Sequence, residues 1–226
     1  MKNGQQSIIS PVWMDANILL DWLPQTVLVG GAEYQIRSDF RTSILFETMM
    51  RSNLNSWEKL NQILNIYYPV TPPDRQEAIQ KALWFYNCGK EKEQKEEKNK
   101  TRAQFKKDRV SYSFEQDAPY IYAAFMEVYK INLQRIPSKE LHWWEFVALF
   151  DSLPDDCKIR KIMYWRTCDT SGMARKEVQR INELRKAYEL KDDASVQAKV
   201  TLAQRNQKMQ EYVKRRFQEV NGSGVQ

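Results

Sequence analysis

The sequence predicts a mainly α protein: a helical domain with a small N-terminal β-hairpin and extended, charged C-terminal helices. Three observations lead there. Apolar residues recur at helical spacing, most densely where Phe114, Ala118, Ile121, Tyr122 and Phe125 follow the i, i+4, i+7, i+8, i+11 pattern and Val128 and Tyr129 extend it. Only 7 Gly and 8 Pro stand among 226 residues, too few for a run of tight hairpins. After Ser171-Gly172 tryptophan disappears and apolar positions thin out, the pattern of narrow stripes on charged helices.

Residues 1–37 form the N-terminal segment. Thr26-Val27-Leu28-Val29 and Glu33-Tyr34-Gln35-Ile36 flank Gly30-Gly31-Ala32, and a Gly-Gly pair between β-type runs signals a hairpin turn with positive φ. A lone hairpin is marginal in water, so it should lie on helices, with Ile18-Leu19-Leu20 packed beside it. Residues 38–89 form a first helical block. Ser38 or Asp39 caps a helix carrying Phe40, Ile44, Leu45 and Met49. Asn55 with Glu58 three residues on makes a capping box ahead of Trp57, Leu60, Ile63, Leu64 and Tyr67. Thr71-Pro72-Pro73-Asp74 starts a third helix, which stops at Asn87-Cys88-Gly89.

Residues 90–109 hold nine Lys/Arg and five Asp/Glu with Phe105 as the one aromatic, and read as a charged linker. Residues 110–170 form an aromatic helical block that shares one domain with 38–89. Ser113 and Gln116 suggest a capping box, Pro137-Ser138 breaks the chain before a helix over Leu141–Phe150, and Asp155-Asp156 favours the start of Ile159–Trp165 through the helix dipole. Residues 171–226 form a basic helical extension whose stripe runs Val178, Ile181, Leu184 and Tyr188, with a break at Asp192-Asp193-Ala194-Ser195.

Charge is unevenly placed. The total is +6, the 90–109 linker carries +4 and residues 172–220 carry +5, so the remainder is −3. Basic extensions of this kind suit nucleic acid or an acidic protein, or are merely solvated. No apolar run approaches the roughly 18 residues that span a bilayer. No apolar stretch of secretory type follows Met1-Lys2-Asn3-Gly4, so cytoplasm is the expectation.

The residues do not assemble into a catalytic pattern. Cys88, Cys157 and Cys168 are far apart and match neither a disulfide framework nor zinc-ligand spacing. His142 is the single histidine and sits between Leu141 and Trp143-Trp144, the setting of a core or interface imidazole. Gly30-Gly31 forms neither a dinucleotide fingerprint nor a phosphate loop. Neighbouring carboxylates such as Asp155/Asp156 and Glu96/Glu97 point in different directions on a helix and cannot act as a dyad. No catalytic residue, cofactor or metal is therefore expected. Asp117 is expected to ion-pair with Arg41 or Arg166. Tyr120, Phe125, Trp143 and Trp144 are candidate partner contacts wherever they are exposed; an acidic aromatic block suits protein better than nucleobases.

Several strings, in order, carry a family resemblance. They are Asp39-Phe40-Arg41, Trp84-Phe85-Tyr86, Phe114 through Phe125, Tyr129-Lys130-Ile131-Asn132-Leu133 and Leu141-His142-Trp143-Trp144-Glu145-Phe146. Together they resemble the bacteriophage "gene product fifteen" family of long-tailed phages and prophages, over roughly residues 16–166. Asn132 stands where the family pattern has Asp, and the 90–109 insert and the chain after 172 fall outside the resemblance. Members are encoded among tail genes, typically between tail tube and tape measure. The resemblance therefore implies a tail assembly chaperone that binds the tape-measure protein in the host cytoplasm and is absent from the mature virion. A helical groove lined with aromatics and with Met49, Met50, Met126 and Met163 would suit such a client. A second reading is a nucleic-acid-binding or packaging accessory protein using Arg175, Lys176, Arg180, Arg185, Lys186, Lys214, Arg215 and Arg216 on phosphates. A structural tail component is a third, and self-association into a homo-oligomer is open in each.

Overall fold

A computed structural model describes residues 17–90, 110–137 and 140–191. The expected charged linker beyond Lys90 and the expected helix after Asp192 lie outside these residues. Among the described residues the fold is mainly helical with one two-stranded hairpin.

Thr26–Val29 (β1) and Ala32–Gln35 (β2) pair antiparallel, with Val29 opposite Ala32. Gly30 and Gly31 both take positive φ, 59° and 77°, as a two-residue turn joining twisted strands demands. Period-two alternation turns Val27 and Val29 inward and Leu28 outward. The hairpin rests against helix Arg75–Tyr86, and the Gly30 N–H donates to the Glu77 carboxylate at 2.6 Å.

Each helix of the first block begins at a short polar cap. Phe40–Arg51 (α1) is capped by Asp39, which accepts from the Thr42 N–H and hydroxyl. Ser56–Tyr67 (α2) carries the expected Asn55–Glu58 capping box in both directions. Arg75–Tyr86 (α3) is capped by Asp74 on the Glu77 N–H. Its end is a left-handed turn: Cys88 has φ 56°, the Cys88 N–H bonds the Phe85 carbonyl, and the Gly89 N–H bonds that of Trp84. Gly89 also has a packing reason. A Cβ there would meet the Trp144 ring at 3.0 Å.

The second block departs from the expected pattern at two places. Ala118–Ala124 (α4) is followed by a π-helical turn, Phe125–Tyr129, that closes at left-handed Lys130. The helix begins at Ala118, so Phe114 lies ahead of it rather than on its face; Phe114, Ile121 and Phe125 are buried, Ala118 is exposed and Tyr122 half-exposed, and within the π turn Val128 and Tyr129 are half-buried. The Ser113–Gln116 box forms only in one direction. Ser113 Oγ accepts from the Gln116 N–H, but the Ser113 N–H is taken by Asp117 and the Gln116 side chain reaches Lys191. Trp143–Asp151 (α5), Lys158–Thr167 (α6) and Arg175–Ala187 (α7) follow.

The core is aromatic and runs from the hairpin to α6. Phe146, fully buried, stacks on Phe40 (5.1 Å), Phe125 (5.0 Å) and Trp143 (5.7 Å). Those rings come from α1, the π turn and α5, so one side chain joins both blocks. Truncating it removes the central ring and leaves a cavity that three flat neighbours cannot close. Phe146→Ala should cost about 3–5 kcal/mol in denaturant unfolding; a loss below about 1 kcal/mol would show that the blocks do not depend on this stack.

Candidate interaction surface

The entry to α5 gathers four segments of chain. The Trp143 N–H donates to the Ser38 carbonyl (2.8 Å) and the Phe40 N–H to that of Leu141 (3.3 Å). His142 is the N-cap of α5: its Nδ1 accepts from the Trp144 N–H at 3.1 Å, which leaves the proton on Nε2 to donate to the Pro24 carbonyl at 3.0 Å. Glu145 completes a capping box by accepting from the His142 N–H. Next, the indole N–H of Trp143 donates to the Tyr86 carbonyl and that of Trp144 to the Phe85 carbonyl, both at 2.8 Å. These are the last carbonyls of α3; that of Phe85 also accepts from the Cys88 N–H of the closing turn.

This geometry corrects most of the expected partner set. Phe125, Trp143 and Trp144 are buried, and their rings and indole protons are used inside the molecule. The physical reason is the core itself: an indole placed where its N–H must find a carbonyl is fixed from both ends. Tyr120 keeps partial exposure and faces the Tyr188 ring at 6.3 Å. Of the four methionines expected to line a groove, Met49 is buried, Met163 half-buried, and Met50 and Met126 exposed.

Asp117 takes Arg166 as its ion-pair partner, in a two-pronged contact of 2.6 and 2.9 Å. Both side chains are buried. The guanidinium also donates to the carbonyls of Ser111 (3.0 Å) and Tyr188 (2.7 Å), while Asp117 also accepts from the Ser113 N–H. Arg41 lies elsewhere, on the carbonyls of Leu133 and Ile136 and against the Phe40 ring.

Burial shifts three titratable groups of this region. The Cys88 thiol is pushed up to about 11, by burial first and by Asp151, with Lys90 opposing, so it is a protonated thiol at neutral pH. Tyr112 is pushed up to about 12 by burial and by Glu47, with Arg51 opposing. Burial holds His142 below its ordinary 6.5, although Pro24, Glu145 and Asp39 pull the other way. Among the described residues no group of three His, Cys, Asp or Glu is placed to hold a metal ion, and no helix is long and apolar enough to cross a membrane.

The exposed apolar residues lie elsewhere. Leu19, Leu20 and Trp22 are 88%, 81% and 91% exposed, against the expectation that this segment packs beside the hairpin. Its own hydrogen bonds explain the difference. The Leu20 and Asp21 N–H groups bond the Asn17 carbonyl, the Leu19 N–H bonds Asn17 Oδ1, and Asp21 accepts from the Asn17 N–H. This closed turn satisfies its polar groups locally and holds the side chains outward. Trp57 (66%), Leu60 and Met50 are exposed where α1 ends and α2 begins, and the Lys59 ammonium ties the two helices at the Met50 carbonyl. On α7, Arg175, Lys176, Arg180 and Lys186 are exposed whereas Arg185 turns inward to the Trp165 carbonyl; residues 214–216 lie outside the described residues.

The model of the family described as Bacteriophage Gp15 protein matches residues 19–190. No curated protein and no solved structure matches the chain.

Two outcomes follow from this geometry. Asp117→Ala would leave a buried guanidinium with no counter-charge and should cost about 3–5 kcal/mol in denaturant unfolding, whereas the additional cost of Arg166→Met in that background should be small; additive losses would mean the two residues act separately. For His142, the unfolded chain takes up the proton first as pH falls. The stabilising contribution is therefore full above 6.5 and declines as pH drops from 6.5 toward the depressed folded value. The melting midpoint should fall between pH 6.5 and about 5.5, above the carboxylate range. His142→Asn, which keeps a cap acceptor, should flatten that slope; an unchanged slope would assign it to other groups.

Proposed function

Because the chain belongs to the Bacteriophage Gp15 protein family, we propose that it is a non-enzymatic tail assembly chaperone that holds the tape-measure protein in the host cytoplasm and leaves before the virion matures. The observation that carries this reading is the exposed apolar surface at Leu19, Leu20 and Trp22, with a second at Met50, Trp57 and Leu60. Large side chains that a closed turn holds in water bury little against the described residues, and exposed apolar patches mark interaction sites. A tape-measure protein is a long helix with apolar stripes, and such a stripe docks against leucine, methionine and tryptophan side chains through i, i+3, i+4 and i+7 anchors.

Release is part of the same reading. A chaperone displaced by tube subunits needs several weak contacts, because each 1.4 kcal/mol per site multiplies the hold tenfold. Small, separate apolar clusters meet that need better than one deep groove. They also place binding away from the aromatic core, so binding and stability respond to different residues.

Coexpression with the phage's own tape-measure protein should raise its soluble fraction several-fold and give a complex that copurifies. Replacing Leu19, Leu20 and Trp22 with serine should abolish most of that gain while moving unfolding free energy by less than about 0.5 kcal/mol, as for surface substitutions. An equally insoluble tape measure with and without the wild-type protein would end this reading.

A further inference from the structure

Helix α7 is held on the domain differently from α1, α2, α3, α5 and α6. Each of those buries at least three residues, whereas α7 buries Ile181 alone. Its N-cap, Ala174, supplies no side-chain acceptor. Its outward positions, Arg175, Lys176, Gln179, Arg180, Glu183 and Lys186, are all polar and exposed. A short charged helix without a cap does not persist in water by itself, so docking orders it.

The docking has two parts. The first is a narrow stripe of Val178, Ile181, Leu184 and Tyr188 lying toward α6, where Ile162 is fully buried and the Trp165 ring stands 5.4 Å from Tyr188. The second is polar and concentrated at the C-terminal end. Arg166 Nε donates to the Tyr188 carbonyl (2.7 Å), the Lys158 ammonium to the Tyr188 hydroxyl (2.7 Å), and Arg185 to the Trp165 carbonyl (2.8 Å) and to that of Cys168. Gln116 and Lys191 exchange two further hydrogen bonds of 2.8 and 2.9 Å. Several of these donors and acceptors are exposed, so water competes for them. The linker from Cys168 to Ala174 carries Gly172 at φ 84°, a left-handed bend that lets α7 fold back on α6.

We infer that α6, with Tyr120 beside it, is a seat for an amphipathic helix, that α7 fills this seat within its own chain, and that α7 gives way to a partner helix. The seat defines the partner. It takes one narrow aliphatic stripe ending in an aromatic, with one terminal carbonyl for Arg166 and a hydroxyl for Lys158. A wide apolar face would have no matching surface. The inference deepens the chaperone reading, on which it rests only for naming the partner as a helical client.

Hydrogen exchange and peptide binding on the full-length protein test it. Amides of α7 should exchange at least 100-fold faster than those of α1–α3, which marks a sub-global opening of α7 alone. Ile181→Asp should free α7 completely while leaving α1–α5 protection unchanged. A labelled synthetic peptide of residues 173–191 should then bind this variant at least tenfold tighter than wild type, because the internal competitor has left. Arg185→Ala loosens the same helix without a buried charge and should give the same ordering with a smaller difference. Exchange of α7 in step with α1–α3, or equal peptide affinity for wild type and both variants, would overturn the inference. The peptide assay contains no tape-measure protein, so its failure removes the seat and leaves the chaperone reading to the coexpression result.

Discussion

Two adjacent tryptophans must be buried, and each brings an N–H that cannot be left without an acceptor. That constraint organises the domain. Trp143 and Trp144 reach the final carbonyls of α3, Tyr86 and Phe85, where the helix ladder has ended; the Phe85 carbonyl also accepts from the Cys88 N–H. One requirement answers the other, so the end of one helix and the start of another fix each other's position. Gly89 belongs to the same arrangement, since only a residue without Cβ leaves room for the Trp144 ring. His142 extends it to the hairpin side by holding Pro24 and capping α5 with the other nitrogen. A helix start that touches Ser38, Pro24, Phe85 and Tyr86 leaves little freedom in the packing of the two helical blocks.

Local signals made the fold class legible, and long-range ones limited the site. Asn55 with Glu58 and Gly30-Gly31 between β-type runs each specify geometry through residues a few positions apart, and each forms as expected; the third helix also starts where Thr71–Asp74 places it, but with Asp74 as its cap and the two prolines ahead of the first turn. His142 as a cap was not legible in the same way, because histidine is not among the usual N-cap residues and its role depends on Pro24, far away in sequence. The choice of Arg166 over Arg41 for Asp117 also needed the tertiary arrangement, since both arginines satisfy charge alone. Aromatic density marks Phe125, Trp143 and Trp144 as core first and as contact surface only where exposed; full burial decides for Phe125, and the indole hydrogen bonds fix the two tryptophans. The reverse error occurred at Leu19 and Leu20. An apolar run beside a strand reads as packed, but a turn that closes on Asn17 and Asp21 can hold it in solvent. The clue was present in the two polar residues bracketing the run, whose side chains are suited to satisfying a turn.

The buried and exposed apolar residues therefore answer different demands. Inside, Phe146 stacks between Phe40 and Phe125 at close to 5 Å on each side, while pairs such as Tyr67 and Phe85 meet edge to face. The two exposed clusters proposed for binding stand at the hairpin approach and at the α1–α2 corner, among other apolar residues exposed singly such as Met126 and Tyr164. A protein that presents apolar surface without losing its own fold needs this separation. If the same rings served both purposes, engaging a client would draw them out of the core and binding would oppose folding. With the core closed by ring stacking and indole hydrogen bonds, the outer residues are free to associate and dissociate at small cost.

The grip on α7 follows the same division. Arg166 joins the interior to the periphery: two of its contacts hold Asp117 in the core and a third holds the last turn of α7. The first two are buried and survive when α7 lifts; the third faces the docked helix and is lost. Because the guanidinium stays paired with Asp117, opening α7 does not strand a buried charge, which would otherwise be the largest cost of the movement. The aliphatic stripe then sets how readily the helix leaves, and a single buried isoleucine is a shallow anchor compared with the stacked rings beneath it. A helix attached this way is the part of the domain best suited to exchange, since its departure breaks part-exposed hydrogen bonds and one narrow apolar stripe, while the stacked rings and the indole hydrogen bonds that position α1, α3 and α5 remain.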